Sequence, residues 1–259
     1  MTRRTGLLFA CKGAITQVYE VYPLKVGDIV EPEPRIIYLG DCGKTVALGI
    51  FFFLIRGEGR NVLVDTGVTK ADGDRFNPSV IQRPGDDPLE QLRKHHVALD
   101  SIDTVIATHL HWDHVSPSVL KMPNARVFVD PKEVKMVLDP PHPWFGQLVY
   151  TEVIDRLAAE KRIVETTDGD EIAPGISILS TPGHTFGGQS VVVRTSRGKV
   201  VIAGDVCSTY RNLEEDRPAG FNCDLVQCFR SLEKIRATAD IVLPGHDLKM
   251  LDLFPEGVR

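Results

Sequence analysis

Five aliphatic segments, each running out into a histidine or an aspartate, constrain this chain more than any other feature. They are "NVLVD" (Asn61 to Asp65), "DTVIATH" (Asp103 to His109), "ISILSTPGH" (Ile176 to His184), "KVVIAGD" (Lys199 to Asp205) and "DIVLPGH" (Asp240 to His246). Their β-branched and aliphatic runs predict strands, and the Gly or Pro often found beside the polar residue predicts a turn at the strand end. Side chains at the ends of several buried strands can converge on one rim while the strands hold them rigid. Of the eight histidines, five (His109, His111, His114, His184 and His246) fall in these strand-end loops. Histidines scattered over a surface would not be so placed. His95, His96 and His142 are read as solvated or capping residues.

The remaining pattern predicts sheets covered by helices. "VALGIFFFLI" (Val46 to Ile55), "RVFVD" (Arg126 to Asp130) and "SVVVRT" (Ser190 to Thr195) read as further strands, with Phe51 to Phe53 as sheet core. "DPLEQLRKHHVAL", "DPKEVKMVL" and "DLVQCFRSLEKIRA" carry helical apolar spacing, the first behind a proline start. With no repeat, low-complexity tract or long linker, residues 1–259 read as one domain. "MTRRTGLLFACKG" has an apolar part broken by Lys12, too short for a secretory leader, and reads as a first strand. No apolar run is long enough to span a bilayer, and a net charge of −5 gives no footprint for nucleic acid or an anionic membrane. The five cysteines are scattered without a CxxC pair, which predicts reduced thiols in a cytoplasmic protein.

"ATHLHWDHVSP" (Ala107 to Pro117) concentrates the ligating residues. Residues two apart point the same way in an extended segment and nearly opposite ways on a helix. His109 and His111 therefore fit a strand end, whereas the adjacent Asp113 and His114 must point differently. One turn could thus feed two neighbouring cations. A donor set of His and Asp without Cys suits zinc, iron or manganese and argues against a closed structural zinc site.

"THLHWDH" followed in order by "TPGH", "AGD" and "PGHD" resembles the metallo-β-lactamase superfamily from about Val46 to Asp247. The resemblance implies an α+β fold, an αβ/βα sandwich of two mixed β-sheets flanked by helices, with two divalent metals at its edge. It implies that His109, His111 and His184 hold one metal, that Asp113, His114 and His246 hold the other, and that Asp205 bridges them. Asp65, in "VDTG", would stand behind the site and orient a ligand histidine. Within the superfamily the chain looks most like the N-acyl-homoserine lactonases, through "TPGHTFGGQS", "RPAGFNCDLVQCFRSLEKI" and "PGHD". That likeness implies quorum-quenching lactone hydrolysis by a metal-bridging hydroxide, with Asp113 shuttling the proton to the leaving alkoxide.

Two departures bear on substrate. The family's tyrosine three residues after the bridging aspartate is Ser208 here, with Tyr210 two residues on; either Tyr210 reaches in through a shifted loop or its role is absent. Ser116-Pro117 replaces the Gly-Gly commonly found after "DH", so the loop and following helix start should differ. "DPPHPWFGQLVY" (Asp139 to Tyr150) places Trp144 and Phe145 in a semi-rigid apolar wall, and Phe186 follows His184 closely enough to touch a ligand. The expected partner is a small-molecule lactone or ester, and a homodimer is allowed. The alternatives are a glyoxalase-II-like thioesterase or other ester or amide hydrolase and, in another class, a non-catalytic metal-binding or redox-sensing protein.

Overall fold

A computed structural model describes residues 18–259; the strand expected at the N-terminus and Cys11 lie outside them. Eleven strands form two sheets. The first contains, in spatial order, β1 (Glu20–Pro32), β2 (Thr45–Gly57), β3 (Arg60–Val64), β4 (Thr104–Ile106), β5 (Arg126–Val129) and β6 (Ile163–Glu165). Strands β1 to β3 pair antiparallel, and β3 to β6 run parallel. The second sheet is ordered β11 (Ile241–Leu243), β10 (Gly198–Ile202), β9 (Gln189–Thr195), β8 (Ile176–Ser180) and β7 (Glu171–Ala173).

Period-two alternation decides where each sheet's core lies. In β2, Phe51, Phe53 and Ile55 face Ile178, Val191, Val193 and Val200 of the second sheet. Phe52 and Leu54 point the other way, into a second core with Leu92 and Leu157. Those two leucines come from α3 (Pro88–Lys94) and α5 (Thr151–Ala159). On the far face of the second sheet, Val201 and Ala203 pack on Leu232 and Ile235 of α7 (Leu225–Thr238). The layers run helix, sheet, sheet, helix, completed by the short helices α1 (Glu33–Ile36), α2 (Lys70–Gly73), α6 (Tyr210–Glu214) and α8 (Lys249–Leu253) and by α4 (Pro131–Leu138).

The helix starts are chemically explicit. Asp87, Asp130 and Asp224 cap α3, α4 and α7, each accepting a backbone N–H of the first turn. Proline follows the first two of these caps, where its missing N–H costs nothing. Helix α3 stops at Lys94, short of the expected Leu99, because His96 turns to φ +56°. Strand β1 was not legible: Pro23 and Gly27-Asp28 break its pattern, and the register shifts between Lys25 and Gly27. Edge position and a bulge make those residues acceptable.

The directions of the strands position the site. Strands β3 and β4 are parallel, so Asp65 and the His109–His114 turn leave the first sheet at one end. Strands β8 and β10 both pair antiparallel with β9, and β11 is parallel to β10, so "TPGH", Asp205 and His246 leave the second sheet at one common end. Replacing Phe52, which is fully buried, with Ala is expected to destabilise the fold by about 3–5 kcal/mol. The shift in urea midpoint measures it.

Candidate metal centre

After Ile106 the chain leaves β4 and folds back as a tight turn, with the N–H groups of His114 and Val115 both donating to His111 O at 3.0 Å. Trp112, on the side of the turn away from the ligands, stacks on Phe76 with centroids 5.8 Å apart and donates its backbone N–H to Leu148 O at 2.8 Å. These contacts clamp the turn between core and loop. Ser116 and Pro117 then start a 3-10 turn, with Ser116 Oγ accepting from Ser118 N–H.

The donors fall into two groups joined by one carboxylate. His109 Nε2 and His184 Nε2 lie 3.0 and 3.1 Å from His111 Nδ1. His114 Nε2 and His246 Nε2 each lie 3.7 Å from Asp113 Oδ2. Asp205 Oδ1 is 3.2 Å from His114 Nε2 and 3.0 Å from His246 Nε2, while Oδ2 is 3.5 Å from His184 Nε2. Gly245 permits this approach, since a Cβ there would sit 2.6 Å from Asp205 Oδ1.

The ring nitrogens facing away from the group have partners of their own. His114 Nδ1 is 2.8 Å from Asp65 Oδ2, His184 Nδ1 is 2.8 Å from Phe221 O, and His246 Nδ1 is 2.8 Å from Gly49 O. A carbonyl or carboxylate there accepts an N–H and leaves the Nε2 lone pair directed inward. Asp65 adopts φ +61°, a left-handed conformation that aspartate tolerates better than most residues. Its Oδ1 also accepts the N–H of Thr108 at 2.7 Å, so it supports both the turn and the ring of His114.

Burial and charge set the protonation. Burial pushes His109 and His111 well below the ordinary histidine range, and neighbouring imidazoles add to the effect, so both rings stay neutral. Burial opposes a proton on His114 and His246 as well, but Asp205 leads the carboxylates that outweigh it, raising His114 well above its usual value and His246 to about 9. Burial would raise Asp205; His246 and His114 instead hold it well below the carboxylate range. The Asp205 carboxylate therefore sits with His114 and His246, which it favours in their charged form, beside the neutral rings of His109 and His111.

Those donors fit a cation. His114 Nε2 and Asp205 Oδ1 are buried and lie close to each other without a well-aligned hydrogen bond, an arrangement that costs free energy unless something else engages them. The ligating atoms of His109, His111 and His184, of His109, His114 and Asp205, and of Asp113, His114 and His246 each lie within 4.8 Å of one another. Such groups of imidazole and carboxylate donors suit zinc and similar divalent ions.

Two residues left open by the sequence have backbone partners. The Tyr210 hydroxyl donates to Val242 O at 3.1 Å, and the ring packs against the core between the sheets. Its backbone N–H is drawn to Asp247, which turns the residue away from the donors. Ser208 Oγ donates to Asp205 O, so this hydroxyl braces the turn of Asp205. Both hydroxyls are thus engaged by backbone carbonyls. His142 caps the turn containing Trp144 by accepting its N–H at 3.2 Å, and His95 packs edge-on against Tyr22.

A cleft of about 540 Å³ opens beside His111 and His184. Trp144, Phe145 and Phe186 line it, and Phe145 meets Phe186 edge-on at 5.6 Å. Sequence reasoning missed Phe221, which lies 5.9 Å from His111 and 5.6 Å from His184, and Arg35, whose guanidinium sits 4.9 Å over the Phe221 ring. The "RPAGF" motif carried a signal for Phe221; nothing near Arg35 did, because α1 meets the loop only through tertiary contacts such as Phe221 N–H to Arg35 O at 2.7 Å.

A two-sheet sandwich with a histidine–aspartate cluster at its edge defines a metallo-hydrolase. The chain belongs to the metallo-beta-lactamase superfamily, whose family model matches residues 46–246. It is 27% identical over 232 residues to N-acyl homoserine lactonase AiiA of Bacillus thuringiensis subsp. kurstaki, covering 83% of this chain and 88% of that one. A solved N-acyl homoserine lactone hydrolase with the product N-hexanoyl-L-homoserine at its catalytic metal centre superposes with a TM-score of 0.78 at 23% identity, covering 93% and 99% of the two chains. The dizinc quorum-quenching lactonase AidC superposes with a TM-score of 0.67 at 16% identity, covering 90% and 92%.

Asp65→Asn keeps the side chain's shape but cannot accept from both Thr108 and His114. The expected result is a folded protein whose cation affinity falls about 10- to 100-fold, read by chelator competition.

Proposed function

We propose that this chain is a dinuclear hydrolase that opens lactone rings, with an N-acyl-homoserine lactone as the first candidate and quorum quenching as the outcome. The observation that carries the reading is the joining of the Asp205-centred donor cluster to an apolar cleft, with His111 and His184 at the boundary. His109, His111 and His184 would hold one divalent ion, Asp113, His114 and His246 the other, and Asp205 both; zinc is the first choice. When bound, such ions lower the pKa of water and polarise a carbonyl. Asp113 would carry a proton to the leaving oxygen. Trp144, Phe145 and Phe186 exclude water around an acyl substituent. The Ser208 and Tyr210 hydroxyls are engaged by backbone carbonyls, and bound cations would supply the polarisation of the carbonyl.

The enzyme would work as one domain over residues 1–259. Cys42, Cys207, Cys223 and Cys228 are free thiols, which suits a reducing cytoplasm. Among the described residues no helix is long and apolar enough to cross a membrane. A homodimer would be compatible with this cleft.

Purified protein should hold two cations per chain and hydrolyse acyl lactones faster than thioesters or aryl esters; two cations with no turnover on the panel would refute the reading. His111→Ala should abolish turnover and reduce bound metal, by elemental analysis and rate. Trp144→Ala should raise KM for long-chain lactones on the order of 10-fold, leaving metal content unchanged. Equal catalysis across an acyl-chain series would argue against the proposed pocket.

A further inference from the structure

Glu133 is the third residue of α4, behind the Asp130 cap and Pro131. A glutamate there ordinarily reaches back to the N–H of the cap. Here the side chain crosses instead to the metal-binding loops. Oε2 accepts the N–H of Leu110, between His109 and His111, at 3.2 Å. Oε1 accepts the N–H of Gly187, three residues beyond His184, at 2.8 Å. The residue is 5% exposed, and among the described residues no lysine or arginine forms an ion pair with it. A buried carboxylate without a counter-charge is costly and must be held by hydrogen bonds. Gly187 makes the approach feasible, since a Cβ there would lie 2.9 Å from both Glu133 N and Asp130 Oδ1.

We propose that Glu133 is a positioning residue that sets the spacing between the loop of His109 and His111 and the loop of His184, so that all three imidazoles meet one cation. The inference rests on the reading of those histidines as a cation group. The loops come from different sheets, β4 in the first and β8 in the second, and one side chain on a third element spans them. An ionised carboxylate accepts at both oxygens, whereas an amide turns its NH2 toward one of the two N–H groups. Glutamine therefore has nearly the right shape and the wrong chemistry. Glu133 also lines the cleft, so a role in touching substrate is the competing outcome.

Cation retention tests the proposal without recourse to turnover. Zinc-loaded protein is titrated with a chelator, and the cobalt-substituted form is examined by visible spectroscopy. Wild-type protein must hold two cations per chain; fewer would overturn the underlying reading, whatever the variants do. Glu133→Gln should remain folded by circular dichroism, surrender one of its two cations about 10-fold more readily, and show altered cobalt bands. Glu133→Asp, which keeps the charge but falls one methylene short, should lose the same cation. Wild-type retention and an unchanged cobalt spectrum in Glu133→Gln, with or without a shift in KM, would overturn the proposal. Failure of both variants to fold would also overturn it, assigning Glu133 to the fold itself.

Discussion

Asp205 is where the two halves of the molecule meet. Its carboxylate emerges from the end of β10 and presents one oxygen to His114, on the turn that follows β4 of the first sheet, and to His246. The other oxygen faces His184. A carboxylate this deep is stable only among groups that answer its charge, so the sheets must pack with their ends level. The core of Phe51, Phe53, Val191 and Val200 supplies that alignment. Packing comes first, and the electrostatics of the cluster follow from it.

Support for the cluster is layered outward from the ligands. Asp65 holds His114 and Thr108, the carbonyls of Phe221 and Gly49 hold His184 and His246, and Trp112 anchors the turn against Phe76. Each contact orients a ring or a loop, and such outer support restricts how far the donors can stray.

The ligand-bearing strand ends were legible because their signals are local. An aliphatic run followed by Gly or Pro and a His or Asp states both the element and its end, as in "KVVIAGD". The Asp-Pro helix starts were legible for the same reason. Long-range features were not. Glu133 has the sequence of an ordinary helix start, and only the folded chain shows its carboxylate between Leu110 and Gly187. Arg35 has no motif at all, and reaches the cleft because Tyr38 and Pro218, Asn212 and Ile36, and Phe221 and Arg35 are joined by hydrogen bonds. The sequence left the place of Tyr210 open, because the backbone contact with Asp247 and the hydroxyl contact with Val242 are both long-range.

The stitching of residues 33–38 to residues 211–221 separates two kinds of construction. Ligands stand on strand ends braced by the core, whereas much of the cleft wall is made of Phe221, of Arg35 on the one-turn helix α1 and of the turn around Trp144, all of which stand on connecting segments. Changes in those loops can reshape what the cleft admits while the imidazoles keep their places. Such a chain can drift among substrates by small steps, each retaining a working centre, and its descendants would differ most where they meet their ligands and least where they meet their ions.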